Sequence, residues 1–285
     1  MEALMASMTR AAVPDNRVRL VVVDFMFTLL QPVKRRRQKM LCGVYRDPGN
    51  TGKPILPDNV NNRRIWRTIL EQRRRFLAIK DDDEFWQVVN TFVYRELLEL
   101  GTPRYRLAAH YSDLAHTRVL TDPALYRVDR QILGVVRYLK ATGVKVVIGS
   151  NSRDEAVMRM LRSFGIDDEF ECVYTSESLG VRKPFSEFWE KIAEIERVQI
   201  GEMAHLGNSA VSDTGLADIG SNVCLYDPNQ ELKKFLAGDV DKLPTSPERA
   251  REVLSMIVDG RVTVCRGPSC IRDWIQPHLA TSAHS

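Results

Sequence analysis

The sequence predicts an α/β protein: a doubly wound parallel sheet with an all-helical segment inserted into it. Three observations carry this. Val18–Val23, Val144–Ile148, Met203–Leu206 and Val223–Tyr226 are short apolar runs without polar alternation, as expected for parallel strands covered on both faces. Segments with helical spacing lie between them. Residues 32–121 break that alternation with helical patterns and no strand pattern. The expected organisation is a mobile tail (1–16), a core (17–31 and 122–243), an inserted helical domain (32–121) and a C-terminal extension (244–285).

Residues 1–16 are rich in Met and Ala but lack the continuous apolar stretch of a secretory signal. The first strand runs into Asp24. Within the insert, Trp66, Ile69, Leu70 and Leu77 share one face, as do Phe85, Trp86, Val89, Phe92 and Val93. Asp81, Asp82 and Asp83 precede the second set and suit a helix N-terminus. Residues 44–62, with Pro48, Gly49, Gly52, Pro54 and Pro57, predict a long loop. After the second strand, Val157, Leu161 and Phe164 define one helix face, and Phe188, Ile192 and Ile195 another. Ser246-Pro247-Glu248 predicts a helix start with Pro at the first helical position. Ligands of doubly wound sheets bind at the carboxyl ends of the strands, where Asp24, Ser150 and Asn208 fall.

Composition narrows the function classes. The chain has 285 residues, 44% hydrophobic, with a formal net charge of +4. No apolar run approaches the roughly 20 residues that span a membrane, which argues against a membrane partner. The five cysteines are scattered and odd in number, so reduced thiols and a cytoplasmic location are expected. Cys265 and Cys270 lack the further ligands a zinc site needs. Residues 32–121 hold about 18 Lys and Arg against about 10 Asp and Glu. Solvated helix faces explain most of that excess, and attraction of a small anionic substrate is the sharper reading. Aromatic residues are not interleaved with the basic runs, which argues against nucleic acid. His205 fits a packed core histidine better than a base. The oligomeric state stays open.

Four segments carry a resemblance. Val21-Val22-Val23-Asp24-Phe25-Met26-Phe27-Thr28-Leu29 is similar to the first motif of the haloacid dehalogenase-like hydrolases, Asp-x-Asp-Gly-Thr, with Met26 at the second Asp and Phe27 at the Gly. Val146-Val147-Ile148-Gly149-Ser150-Asn151 resembles the second, and Gly180-Val181-Arg182-Lys183-Pro184 the third. Leu206-Gly207-Asn208-Ser209-Ala210-Val211-Ser212-Asp213 resembles the fourth, with Asn208 where an Asp is usual. The resemblance covers roughly residues 17–235, and the insert falls where the family carries helical caps.

The resemblance implies a chemistry. Asp24 would attack the substrate and form a covalent aspartyl intermediate. Thr28, Ser150 and Lys183 would stabilise negative charge, while Met26, Phe27 and Asn151 would contact substrate. Mg²⁺, the cofactor of the family's phosphatases, would use Asp24, the Met26 carbonyl, Asn208 and Asp213, held weakly or not at all. Met26 cannot protonate a leaving group or activate water, functions worth about 10²- to 10⁴-fold in rate. Asn208 removes a charge from the metal position. Dehalogenase and phosphonate hydrolase branches also lack the second acid, yet the Asn208-to-Asp213 spacing follows the phosphatase pattern. Three readings remain: an enzyme using Asp24 for atypical chemistry, an inactive binding protein, and a Mg²⁺-dependent phosphatase.

Overall fold

A computed structural model describes residues 17–33, 79–92, 121–210, 212–228, 232 and 247–279. In chain order its elements are β1 (Leu20–Val23), β2 (Leu30–Pro32), α1 (Asp82–Phe92), β3 (Tyr126–Val128), α2 (Arg130–Ala141), β4 (Lys145–Ser150), α3 (Asp154–Phe164), β5 (Val173–Thr175) and α4 (Ser176–Leu179). There follow α5 (Ser186–Glu196), β6 (Met203–Gly207), α6 (Gly215–Asp218), β7 (Asn222–Tyr226), α7 (Pro247–Val258), β8 (Val262–Cys265) and α8 (Pro268–Ile275).

Six strands form one sheet in the order β5-β4-β1-β6-β7-β8, every pairing parallel. All four residues of β1 are buried. Val23 pairs with Ile148 on one side and Leu206 on the other. From β1 the chain builds β4 and β5 outward, then crosses back to place β6, β7 and β8 on the opposite side. The ends of β4, β1 and β6 therefore form the point at which strand order reverses, where α/β sheets bind ligands.

Two apolar layers sandwich the sheet. One centres on Val21, Val23, Val146, Ile148, Val157 and Leu161; the other on Leu20, Val22, Val147, Phe188, Trp189 and Ile192. Val157 and Leu161 of α3 are buried as expected. The buried arc of α5 runs through Phe188, Trp189, Ile192 and Ala193, leaving Ile195 55% exposed. Trp189 turns that arc away from the predicted line, and Ile195 falls at its edge.

The sheet exceeds the four predicted strands. β5 has only three residues, too few for a periodic signal, and β8 comes from the predicted extension. That segment also packs α8 against α2, and Val18 N–H donates to the His278 carbonyl at 2.8 Å. β2 and β3 form a small antiparallel pair. α1 starts as predicted, with Asp81 Oδ1 accepting from Glu84 N–H at 2.7 Å. The patterns at Trp66–Leu77 and Val93, and the loop at 44–62, lie outside the described residues. The expectation of reduced thiols is corrected at Cys265 and Cys270, which form a disulfide. The end of β8 and the first turn of α8 bring their Cα atoms to 5.4 Å. Among the described residues no helix is long and apolar enough to cross a membrane.

Candidate active site

Asp24 follows the last residue of the central strand, and its N–H donates to Leu206 of β6 at 2.8 Å. The chain then turns sharply. Phe27 N–H meets the Leu30 carbonyl at 2.7 Å, and Phe27 has φ +67°. That left-handed backbone favours glycine, and a phenylalanine there costs roughly 1–2 kcal/mol. The turn thus keeps the shape a glycine would serve while carrying a large side chain. It directs Thr28 back beneath Asp24, where its hydroxyl lies 3.1 Å from Asp24 Oδ2 and 3.3 Å from Asn208 Oδ1.

Lys183 arrives from the loop between α4 and α5. Its ammonium donates to Asp24 Oδ1 at 2.7 Å and to Asp213 Oδ1 at 2.6 Å. Lys183 and Asp213 are each 1% exposed and Asp24 7%. Asn151 fixes the loop, accepting from Lys183 N–H at 2.7 Å and donating to the Lys183 carbonyl at 3.0 Å. Its amide thus braces the main chain of the lysine from both sides. Ser150 ends β4, the strand paired with β1, and is 2% exposed.

Asp213 is held from every side. Besides Lys183, its Oδ1 faces His205 Nε2 at 3.0 Å, while Oδ2 accepts from the N–H groups of Asn208 at 3.0 Å and Ser209 at 2.8 Å. The carboxylate lies against Gly207, where an added Cβ would fall 2.4 Å from Asp213 Cγ. His205 is fully buried, its Nδ1 2.8 Å from the Val22 carbonyl and its ring 4.6 Å from that of Trp189. It is packed, as expected, but also bonded to the cluster. The signal for this was an ionisable residue inside an otherwise apolar strand.

Burial raises Asp24 above the ordinary 3.8, with Lys183 opposing and Asp213 adding to the rise. Burial also acts upward on Asp213, but the Lys183 charge and the His205 bond outweigh it and hold that carboxyl well below 3.8. Desolvation pulls Lys183 down, and the charges of Asp213 and Asp24 more than reverse it, raising Lys183 above 10.5.

The rim differs from the interior. Met26 and Phe27 are half-buried and Asn208 is exposed. Residues 80 and 85 reach the lysine loop directly: Arg182 N–H donates to the Lys80 carbonyl at 2.9 Å, and the Arg182 guanidinium lies 3.5 Å from the Phe85 ring centroid. Lys80 pairs with Glu187 on α5.

The family model for haloacid dehalogenase-like hydrolases matches residues 56–220. The chain belongs to that family. The match starts after Asp24, whose place in the core follows from the position of β1 between β4 and β6. Among solved structures, the candidate HAD-hydrolase YfnB from Bacillus subtilis, bound to magnesium, is 14% identical with TM-score 0.59, over 91% of this chain and 99% of that one. L-2-haloacid dehalogenase from Xanthobacter autotrophicus, with chloropropionic acid covalently bound, is 16% identical with TM-score 0.54, over 91% and 98%. A HAD family hydrolase from Deinococcus radiodurans R1, with bound phosphate and sodium, is 15% identical with TM-score 0.55, over 92% and 97%. At these identities the likeness is one of fold. No curated protein matches the sequence.

Proposed function

We propose that this chain is a hydrolase acting through Asp24 on a small anionic molecule, by chemistry that takes no proton from the position of Met26. The observation that carries the reading is the Lys183 ammonium shared between Asp24 and Asp213, 2.7 and 2.6 Å away, where strand order reverses. An Asp24 oxygen attacks the electrophilic centre, and the bond to the leaving group breaks with its electron pair. Lys183 and the Ser150 hydroxyl offset the negative charge that departs. Water then cleaves the aspartyl ester or acyl phosphate, one of its protons leaving to solvent, and restores the carboxylate. Substrates suit this site when their leaving group is stable as an anion or carries its own proton source. We read 32–121 as a cap, with the Arg182–Phe85 and Lys80–Glu187 contacts linking it to the lysine loop and its basic excess favouring an anionic substrate.

Mg²⁺ is the cofactor the family suggests, and the donors fit it poorly. Asp213 has both oxygens committed, Asn208 offers an uncharged oxygen, and among the described residues no group of three acidic, His or Cys side chains is arranged to hold a metal ion. No step here uses a metal. The burial of Asp24, already satisfied by Lys183 and Thr28, favours one second reading: a binding protein in which the cluster is structural.

Single turnover in H₂¹⁸O, with 2-chloropropionate and a panel of phosphate esters as probes, tests the proposal. Label should enter the Asp24 carboxylate on carbon substrates, or the released phosphate on phosphate esters. Asp24→Asn should abolish turnover. Turnover that survives this substitution removes covalent catalysis, and no turnover with any probe favours the binding reading.

A further inference from the structure

Asp213 is the residue the family would offer to a metal, and its surroundings point elsewhere. A carboxylate has about four lone-pair directions. Those of Asp213 meet the Lys183 ammonium, His205 Nε2, and the N–H groups of Asn208 and Ser209, all between 2.6 and 3.0 Å. His205 is itself anchored, its Nδ1 2.8 Å from the Val22 carbonyl, so its Nε2 stays on Asp213.

Asp24 is engaged once on each oxygen. Its Oδ1 holds Lys183 and its Oδ2 faces Thr28, whose hydroxyl also lies near Asn208 Oδ1. A divalent ion on Asp24 would stand next to a buried ammonium that two carboxylates hold in place. Repulsion and saturated donors act together, and neither depends on the substitutions visible at Met26 and Asn208.

We propose that Lys183 is the built-in cation of this site, and that His205 and Lys183 together withdraw Asp213 from metal coordination, so that Asp24 is served without a divalent ion. The inference rests on the Asp24 cluster being the site. It is read by binding rather than by turnover, so it fails separately from the hydrolytic reading.

The probe is Mn²⁺, titrated into the full chain and followed by the electron paramagnetic resonance signal of the free ion. Wild type should show no saturable site at millimolar Mn²⁺. Asn208→Asp restores the missing charge on an exposed position with little risk to folding, and it should still bind none. Lys183→Met keeps the stem and removes the charge, and it should gain one saturable site that is lost again when Asp24→Asn is added. Three results overturn the inference. They are a wild-type site lost in Asp213→Asn, a site created by Asn208→Asp alone, and a folded Lys183→Met variant that binds nothing. If Lys183→Met does not fold, the wild-type and Asn208→Asp titrations still decide.

Discussion

Replacing Lys183 by Met measures how far the cluster depends on its cation. The two side chains have similar length, so packing changes little and the charge is isolated. The ammonium is 1% exposed and contacts Asp24 Oδ1 at 2.7 Å and Asp213 Oδ1 at 2.6 Å. Its loss leaves two buried carboxylates facing each other across the vacated position. Removing one partner of a buried ion pair costs about 3–5 kcal/mol, a fall in Tm of roughly 10 °C for a chain of this size. The pH dependence separates charge from packing. Asp213 is held below its ordinary 3.8, so its contribution is complete above that value and lost as pH falls beneath it. Lys183 is raised above 10.5, so its contribution is complete below 10.5 and lost as pH rises through the folded value. Urea unfolding of both proteins should show the largest gap between pH 5 and 9, closing towards about pH 3 as the carboxylates of the variant protonate. A gap of equal size at pH 3 and pH 7, or one below about 1 kcal/mol, refutes the charge-based account.

Three further variants test the surroundings of the cluster. Gly207→Ala places a methyl 2.4 Å from Asp213 Cγ and should displace that carboxylate, costing about 1–3 kcal/mol in denaturant unfolding and loosening Lys183. Phe27→Gly relieves a left-handed backbone and should gain about 1 kcal/mol before the loss of its half-buried ring, so a net loss above 2 kcal/mol would show that the side chain is a packed wall. Met26→Asp combined with Asn208→Asp should not create Mg²⁺-dependent phosphatase activity, because burial beside Asp24 raises the new carboxyl and Asp213 stays saturated. Rapid, metal-dependent phosphate release by that double variant would identify a dormant phosphatase.

The strands that build the site were legible because parallel strands buried on both faces leave uninterrupted apolar runs, as in Val21-Val22-Val23 and Val146-Val147-Ile148. Asp24, Ser150 and Asn208 followed from strand ends, and Lys183 from its motif. What escaped notice lacks periodicity or depends on distant partners. β5 is three residues long, and β8 has only four, with its middle two partly buried, in a segment that looked like an appendage. Asn151 carries no sequence sign that both ends of its amide close on the Lys183 main chain. His205 looked like core because it is core. Only the register that sets it opposite Val22, with Asp213 folded under Gly207, shows where its two nitrogens go.

The ionisable and hydroxyl-bearing matches to the family pattern lie deeper than the departures from it. Asp24, Thr28, Ser150, Lys183 and Asp213, which match, are 7% exposed or less. Met26 and Phe27 are half-buried and Asn208 is exposed, and these depart. Physical coupling accounts for the division. Each buried ionisable group is stabilised by the others, so losing one leaves an unpaired charge in the core, whereas a rim residue changes without that penalty. The intact interior therefore reflects folding as much as catalysis, and its survival does not distinguish an enzyme from a binding protein. The rim does. If Met26 and Phe27 are a wall shaped for a substrate, altering them should change which probe turns over while the Lys183→Met stability gap keeps its size. If the cluster is structural only, rim variants should leave every measured property near wild type, and only the buried residues should matter.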